Sequence, residues 1–350
     1  MKISDLEFFL VQIERTSLLP PVRSLLVRLS TDRGLEGWGE CWLTWRASEL
    51  AARRDLLLPV LAGRSIFDIE ELHTLEAFSR SSLRAAVEMA CWDLVGRAAG
   101  QPLCRLLGGE YRQRIPLAAR LSGRWPDRLA RLAREMAAQG FHAQIITATG
   151  EVELDRQMLR AVRESVGDRV ALRLDAQSSY TTEAARDFCA EIEFDHVQFL
   201  LDPLATAELY PIASLGRQTT VPLGVWRAIR SPRDVLALVR ADAAAYVVID
   251  PEQLGGISPA RACAAIAGAA GVAMLLGGRP SLGIATAAML HLAASTPSLT
   301  GANESAYHQF RNDVLAEPLE LIDGMMIVPQ GPGLGVEVDR AKLERFSVNT

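Results

Sequence analysis

The segment ALRLDAQSSYTTEAARDFCAEIEFDHVQFLLDP, residues 171–203, contains a short apolar run, a helical stretch and a second short apolar run. The apolar runs are typical of buried strands, and the stretch between them opens on threonine, as many helices do. A strand, a helix and another strand at this spacing favour one unit of a parallel sheet. The second run ends in Asp202 and Pro203, so the sequence raises the question of whether a functional site lies there.

The same alternation continues on both sides of this segment, from Pro116 onward. Further apolar runs separated by helical stretches occur at IPLAARLS, HAQIITA, VPLGVW, AYVVID and VAMLLGG. Seven or eight such units within about 200 residues predict a closed (β/α) barrel in preference to an open sheet. The active sites of these barrels lie at the C-terminal ends of the strands, so those ends are the positions to inspect.

The first part of the chain does not follow this alternation. FFLVQIE and SLLVRLSTDRGLEGWGE predict a hairpin of long strands. Helical periodicity then runs from about Ala47 to Leu107. This order of elements predicts an α+β domain ahead of the barrel.

Composition indicates a soluble globular protein. The chain has 350 residues, of which 49% are hydrophobic and 23% charged, enough to bury a sizeable core. The formal net charge of −5 argues against a nucleic-acid partner or an anionic membrane. The N-terminal segment lacks the pattern of a signal peptide, and five scattered cysteines without a CxxC spacing predict reduced core residues of a cytoplasmic protein.

Lysine is almost absent. It occurs only at Lys2 and Lys342, and arginine supplies every other basic side chain. The chain between those two positions can therefore contain no Walker A lysine, no Schiff-base lysine and no lysine general base.

The side chains at the predicted strand ends are of mixed character. They are Ile145, Thr147, Asp175, Leu201, Asp202, Trp226, Arg227, Asp250, Gly277, Arg279 and Glu304. Asp175, Leu201 and Arg227 follow one another at equal steps of 26 residues, so we expect them at equivalent places on three successive strands.

Several motifs in order resemble the enolase superfamily, in its mandelate racemase/muconate lactonizing enzyme branch. They are VRLSTDRGLEGWGE, AVEMACWDLVGRAAGQPLCRLLGG, LRLDA, the DP at 202–203, the GGIS at 255–258 and LAEPLELIDGMMIVPQGPGLGVEVD. The resemblance implies an α/β fold with two domains. An α+β capping domain would cover residues 1–114, completed by about 326–350, and a modified (β/α)7β TIM-like barrel would cover residues 115–325. It also implies a homo-oligomer, and specificity set by capping-domain loops such as residues 15–23.

The chemistry that the resemblance implies is abstraction of a proton next to a carboxylate, with Mg²⁺ stabilising the enediolate. Three strand-end carboxylates would hold the metal, and only Asp175 matches such a position. Leu201 occupies the second position, and Trp226 with Arg227 occupies the third. A guanidinium stays protonated and repels a cation at contact range, so we expect no metal, and an Arg227–Asp175 ion pair in its place.

The implied bases are also changed. The position of the family's lysine pair reads Ile145 to Thr147, and Gly277 occupies the place of the histidine that would pair with Asp250. Asp250, Glu304 and Asp202 are the remaining candidates for acid or base catalysis.

Three hypotheses for the function stay open. The first is a diverged, metal-independent lyase, isomerase or racemase, in which Arg227, Arg279 and Trp226 bind a small-molecule carboxylate. The second is a catalytically inactive pseudoenzyme or a small-acid binding protein. The third is an ordinary Mg²⁺-dependent acid-sugar dehydratase or racemase.

Overall fold

The computed structural model describes residues 1–16, 19–78, 80–206 and 208–348. An antiparallel sheet of three strands opens the chain, in the order β1 (Ile3–Ile13), β2 (Val22–Thr31) and β3 (Glu36–Cys41). Its helices are α1 (Leu50–Leu61), α2 (Ser81–Ala99) and α3 (Leu103–Leu106). Helix α2 lies so close to β3 that a Cβ at Gly39 would come within 1.8 Å of the Ala86 carbonyl oxygen, so glycine is required there.

A parallel barrel follows. Its strands are β4 (Arg114–Leu121), β5 (Ala143–Thr147), β6 (Ala171–Asp175), β7 (Val197–Leu201), β8 (Leu223–Val225), β9 (Tyr246–Ile249), β10 (Ala273–Leu276) and β11 (Asn303–Glu304). The helices after these strands are α4 (Pro126–Ala138), α5 (Val152–Val166), α6 (Thr182–Glu191), α7 (Leu209–Gly216), α8 (Pro232–Ala241), α9 (Pro251–Leu254), α10 (Ile257–Ala269) and α11 (Gly283–Ser295).

The barrel closes where its last strand meets its first. Strand β11 pairs in parallel with β4, and the Leu276 backbone N–H at the end of β10 donates to Asn303 Oδ1 at 2.8 Å. The predicted α+β domain followed by a (β/α)7β barrel is therefore confirmed. A hairpin of β12 (Leu321–Ile322) and β13 (Met325–Ile327) extends the sheet, with β13 antiparallel to the start of β4, and α12 (Arg340–Phe346) is the last helix described.

A buried cation, Arg173, lies next to an apolar cluster in the barrel interior. Phe199, Leu201, Val248 and Leu275 form one interior cluster. Arg173 lies beside Phe199 with 1% exposure, and donates to Gln198 Oε1 at 2.7 Å and to the Ala302 carbonyl at 2.8 Å. Burial lowers the pKa of Arg173 to about 10, but the guanidinium stays charged at neutral pH.

Carboxylates of the N-terminal domain bind the starts of two barrel helices. Glu40 accepts backbone N–H groups of Leu282 and Ala285, at 2.6 and 2.9 Å, where α11 begins. Glu88 on α2 accepts those of Ile257 and Ser258, where α10 begins. Negative charge at a helix N-terminus is stabilised by the unpaired N–H groups there, so these contacts dock the domain onto the barrel.

Two further expectations can be compared with the structure. The five cysteines are free and buried, as predicted. Within the described ranges, no helix is long and apolar enough to cross a membrane.

Candidate functional site

Asp175, at the end of β6, lies between two guanidinium groups. Arg120 Nη1 is 2.9 Å from its Oδ2, and Arg227 Nη1 is 3.2 Å from its Oδ1. The predicted Arg227–Asp175 ion pair is therefore confirmed. Burial alone would raise the pKa of Asp175, but the charges of Arg120 and Arg227 outweigh it and hold that pKa below its ordinary value.

Arg120 was not found by sequence reasoning. It follows the interior-facing Ala118 by two positions on β4, and besides Asp175 it contacts Thr147 Oγ1 at 3.2 Å and Glu304 Oε2 at 2.6 Å. Glu304 reaches it because β11 pairs with β4 at barrel closure. Alternation along IPLAARL could have placed Arg120 inside the barrel, but it gives no indication of the partners.

Asp202 positions the loop that carries Arg227. Its backbone has φ +42°, and its carboxylate accepts the N–H groups of Trp226 and Arg227 at 2.9 and 3.1 Å. It also contacts Arg227 Nη1 at 2.7 Å, closer than Asp175 does. Burial raises the pKa of Asp202, although these hydrogen bonds oppose the rise. Gln253 holds the same loop by donating to the Ile229 carbonyl at 2.7 Å.

We expected Asp175, Leu201 and Arg227 at equivalent places on three successive strands, and the structure shows this for Asp175 and Leu201 only. Asp175 pairs in register with Leu201, as predicted. Leu201 pairs with Gly224, so Arg227 lies three residues further on, in the loop after β8, and the prediction for it was wrong. The chain leaves the sheet at Val225, and the loop is then fixed by Asp202.

Two carboxyl groups with raised pKa lie at the end of β9. Asp250 accepts the backbone N–H groups of Glu252 and Gln253 and so caps α9. Burial raises the pKa of Asp250 to about 6, and burial followed by the negative charge of Asp250 raises that of Glu252 to about 7. Sequence reasoning missed Glu252, because a glutamate after proline is common at the start of any helix.

Arg279 lies against the N-terminal domain. Its guanidinium stacks over the Trp42 ring at 4.2 Å, a cation–π contact across the two domains. Trp226 makes the corresponding contact with Arg227, at 4.7 Å.

These side chains surround a cavity of about 550 Å³ at the C-terminal end of the barrel. Its lining includes Arg120, Asp175, Trp226, Arg227, Asp250, Glu252 and Arg279. A larger groove of about 1300 Å³ runs along α4 and shares only Arg120 with this lining. The segment 15–23 that we expected to set specificity includes residues 17 and 18, which lie outside the described residues.

The remaining sequence candidates lie around the same cavity or just beneath it. Glu304 contacts Arg120 and lines a smaller neighbouring cavity with Asp250, Glu252 and Arg279. Gly277 lies close to Glu304: a Cβ added at Gly277 would be 3.5 Å from the carboxyl carbon of Glu304. Leu201 is fully buried beneath the site. The structure thus brings all the predicted site residues together, and their chemical roles stay predictions.

The fold and this strand-end cavity define a (β/α)-barrel protein with an N-terminal α+β domain. Residues 13–108 match the N-terminal domain of the mandelate racemase / muconate lactonizing enzyme family, and residues 128–342 match the enolase C-terminal domain-like family. The chain belongs to the enolase superfamily, in the mandelate racemase/muconate lactonizing enzyme branch.

Its relatives are racemases, epimerases, cycloisomerases and dehydratases. The N-succinylamino acid racemase of Thermus thermophilus is 30% identical, over 97% of this chain and 92% of the relative. The cis-3-hydroxy-L-proline dehydratase of Roseibium aggregatum is 28% identical, over 89% and 87%. An isomerase from Streptomyces coelicolor has a crystal structure similar at a TM-score of 0.89, with 32% identity over 99% of this chain and 96% of that one.

Members of this family generally depend on Mg²⁺, but the side chains at the corresponding place here do not fit it. Mg²⁺ requires oxygen ligands in octahedral geometry. Both oxygens of Asp175 already contact guanidinium groups, and Leu201 offers no ligand atom. Within the described part of the chain, no group of three or more His, Cys, Asp or Glu side chains is arranged to hold a metal.

Proposed function

We propose that this protein is a metal-independent lyase, isomerase or racemase that acts on a small carboxylate. The observation that carries the proposal is the contact of two guanidinium groups, Arg120 and Arg227, with the single carboxylate left at a metal-ligand position, Asp175. These cations lie where the family's chemistry requires positive charge opposite a forming enediolate.

The charge of this cluster supports the proposal. Arg120 and Arg227 supply two positive charges, and Asp175, Asp202 and Glu304 supply three negative ones. The net charge of −1 equals that of one divalent cation held by three carboxylates. The cluster therefore keeps the overall charge of a metal site while using side chains alone.

Arg227 also has donors available for a ligand. The contacts to Asp175 and Asp202 use its Nη1 atom, and its side chain is 35% exposed at the cavity. Its other edge, Nε and Nη2, is suited to bidentate binding of a substrate carboxylate. Arg279 adds a further cation to the cavity lining.

The proposed chemistry is restricted to activated acids. A guanidinium that already contacts two carboxylates stabilises an enediolate less than a divalent cation would. The substrate must therefore carry a good leaving group on the β-carbon or a second group that acidifies the α-hydrogen.

Binding without turnover is the second candidate function. It is favoured by Ile145 and Thr147, which offer no base at the end of β5, and by Gly277, which offers none after β10. In this candidate function Arg227 binds the ligand carboxylate as in the proposed enzyme, but no proton is transferred.

Exchange of the α-hydrogen in D₂O, followed by ¹H NMR, separates these candidates. A panel of N-succinylamino acids, dipeptides and acid sugars would be incubated with the protein in EDTA, and again in Mg²⁺. Exchange that is equal in EDTA and Mg²⁺ supports the proposal. Binding measured by calorimetry without exchange or product formation supports the second candidate, and exchange only with Mg²⁺ overturns both.

A further inference from the structure

Glu252 lies where the reaction site meets the N-terminal domain. It is the second residue of α9, directly after the strand end that carries Asp250. Its Oε1 accepts the backbone N–H of Trp42, from the N-terminal domain, at 3.1 Å. The side chain thus belongs to the barrel but is oriented by the other domain.

Glu252 shares both cavities of the site with the cations. It lines the 550 Å³ cavity with Arg227 and Arg279, and the smaller cavity with Arg279 and Glu304. No arginine lies within ion-pair distance of Glu252 among the described residues, in contrast to Asp175, Asp202 and Glu304. A carboxylate that contacts no guanidinium keeps its basicity.

Burial and neighbouring negative charges raise the pKa of Glu252. Asp250 on its own element and Glu40 on β3 both raise its pKa, after burial as the largest cause, to about 7. A general base is most effective when its pKa lies near the working pH. Asp250, with a pKa of about 6, uses Oδ1 to accept two backbone N–H groups and remains the charged neighbour.

We propose that Glu252 is the proton acceptor of this site. The inference rests on the proposed function and names the residue that performs its first step. The Glu252 carboxylate takes the hydrogen from the carbon next to the substrate carboxylate as a proton. The C–H electron pair moves into that carboxylate to form an enediolate, which Arg227 stabilises. The pair then either expels a leaving group from the β-carbon or takes a proton back from the Glu252 carboxylic acid.

Trp42 is the positioning residue in this arrangement. Its backbone N–H holds Glu252, and its indole ring holds Arg279. One residue of the N-terminal domain therefore sets the distance between the base and a cation that binds substrate. Trp42→Phe keeps the backbone contact and an aromatic face, so it should change KM more than kcat.

The test uses the panel carboxylate that exchanges fastest with the wild-type protein in D₂O and EDTA. Glu252→Gln keeps an acceptor for the Trp42 N–H and should slow exchange about 10²- to 10⁴-fold. Glu252→Asp should recover part of the rate. In the wild type the rate should rise with pH through about 7, and Glu252→Gln should lose this dependence. Glu183→Gln, on the exposed first turn of α6, is the matched control and should leave the rate unchanged.

The outcomes separate the two proposals. If the wild type exchanges its α-hydrogen and Glu252→Gln does so at the same rate with the same pH dependence, Glu252 is not the base, and the proposed function stands. If the wild type neither exchanges the α-hydrogen of any panel member nor converts any of them to a product, the proposed function fails and this inference fails with it. Circular dichroism must show that Glu252→Gln is folded for the first conclusion to hold.

Discussion

Arg120 Nη1 lies 2.9 Å from Asp175 Oδ2, although the two residues are 55 positions apart in the chain. Arg120 also joins Asp175 to Glu304, from the last strand of the barrel. The ion-pair cluster therefore connects the first, third and last barrel strands at their C-terminal ends. This connection makes the cluster important for stability as well as for binding.

Removal of Arg120 should destabilise the protein strongly. Arg120→Met leaves the buried carboxylates of Asp175 and Glu304 with one cation fewer, and loss of one partner of a buried pair typically costs about 3–5 kcal/mol. Asp175→Asn should cost less, since Arg120 keeps Glu304. The measurement is the free energy of unfolding in urea. Arg124→Met, whose partner Glu151 is exposed, is the control and should change it by less than about 0.5 kcal/mol. If Arg124→Met and Arg120→Met lose similar free energy of unfolding, the Arg120 ion pairs do not stabilise the barrel as proposed.

Mg²⁺ should not stabilise the wild-type protein. A metal at one hundred times its Kd would add about 2.7 kcal/mol to stability and raise Tm. Because Arg120 and Arg227 contact both oxygens of Asp175, we expect the same Tm in Mg²⁺ and in EDTA. Differential scanning calorimetry measures this directly. A rise in Tm with Mg²⁺ that Asp175→Asn abolishes would show that the metal displaces the guanidinium groups.

Stability should fall as the pH rises from about 4.5 to about 7. The pKa of Glu252 is raised from its ordinary 4.5 to about 7, so the folded state binds more protons than the unfolded state across this range. Stability then decreases with pH, by at most about 1.4 kcal/mol per pH unit for one such group. Glu252→Gln should flatten this slope in urea unfolding measured at pH 5, 6 and 7. An unchanged slope would mean that Glu252 ionises as it does in the unfolded chain.

Arg279 should contribute directly to ligand affinity. A hydrogen bond to a charged group contributes about 1.5–3 kcal/mol, so Arg279→Met should weaken binding of a panel carboxylate by roughly 10- to 150-fold. Calorimetric titration in EDTA measures the Kd. Arg33→Met, in the exposed turn after β2, serves as the control. If Arg279→Met binds the ligand with unchanged affinity, Arg279 does not contact the ligand carboxylate, and Arg227 is the cation that binds it.

The alternation of strands and helices was sufficient to predict the barrel. Periodicities of two and 3.6 residues are local properties, so each βα unit could be read from its own segment. The equal spacing of 26 residues between two strand ends predicted that Leu201 stands beside Asp175 in the sheet, and the structure confirms it. The resemblance to the enolase superfamily then implied that this leucine occupies a position where the family has a metal ligand.

The partners of these residues depended on the tertiary structure. Arg120 meets Glu304 only because the last strand closes against the first, 184 positions away in the chain. Glu252 is held by the backbone N–H of Trp42 from the N-terminal domain, while burial and the negative charge of Asp250 raise its pKa. The sequence by itself determined which elements form, and its resemblance to the family predicted that a leucine replaces a metal ligand. Barrel closure and domain docking decided which charged side chains contact one another. These contacts join segments far apart in the chain, and periodicity within one segment carries no information about another.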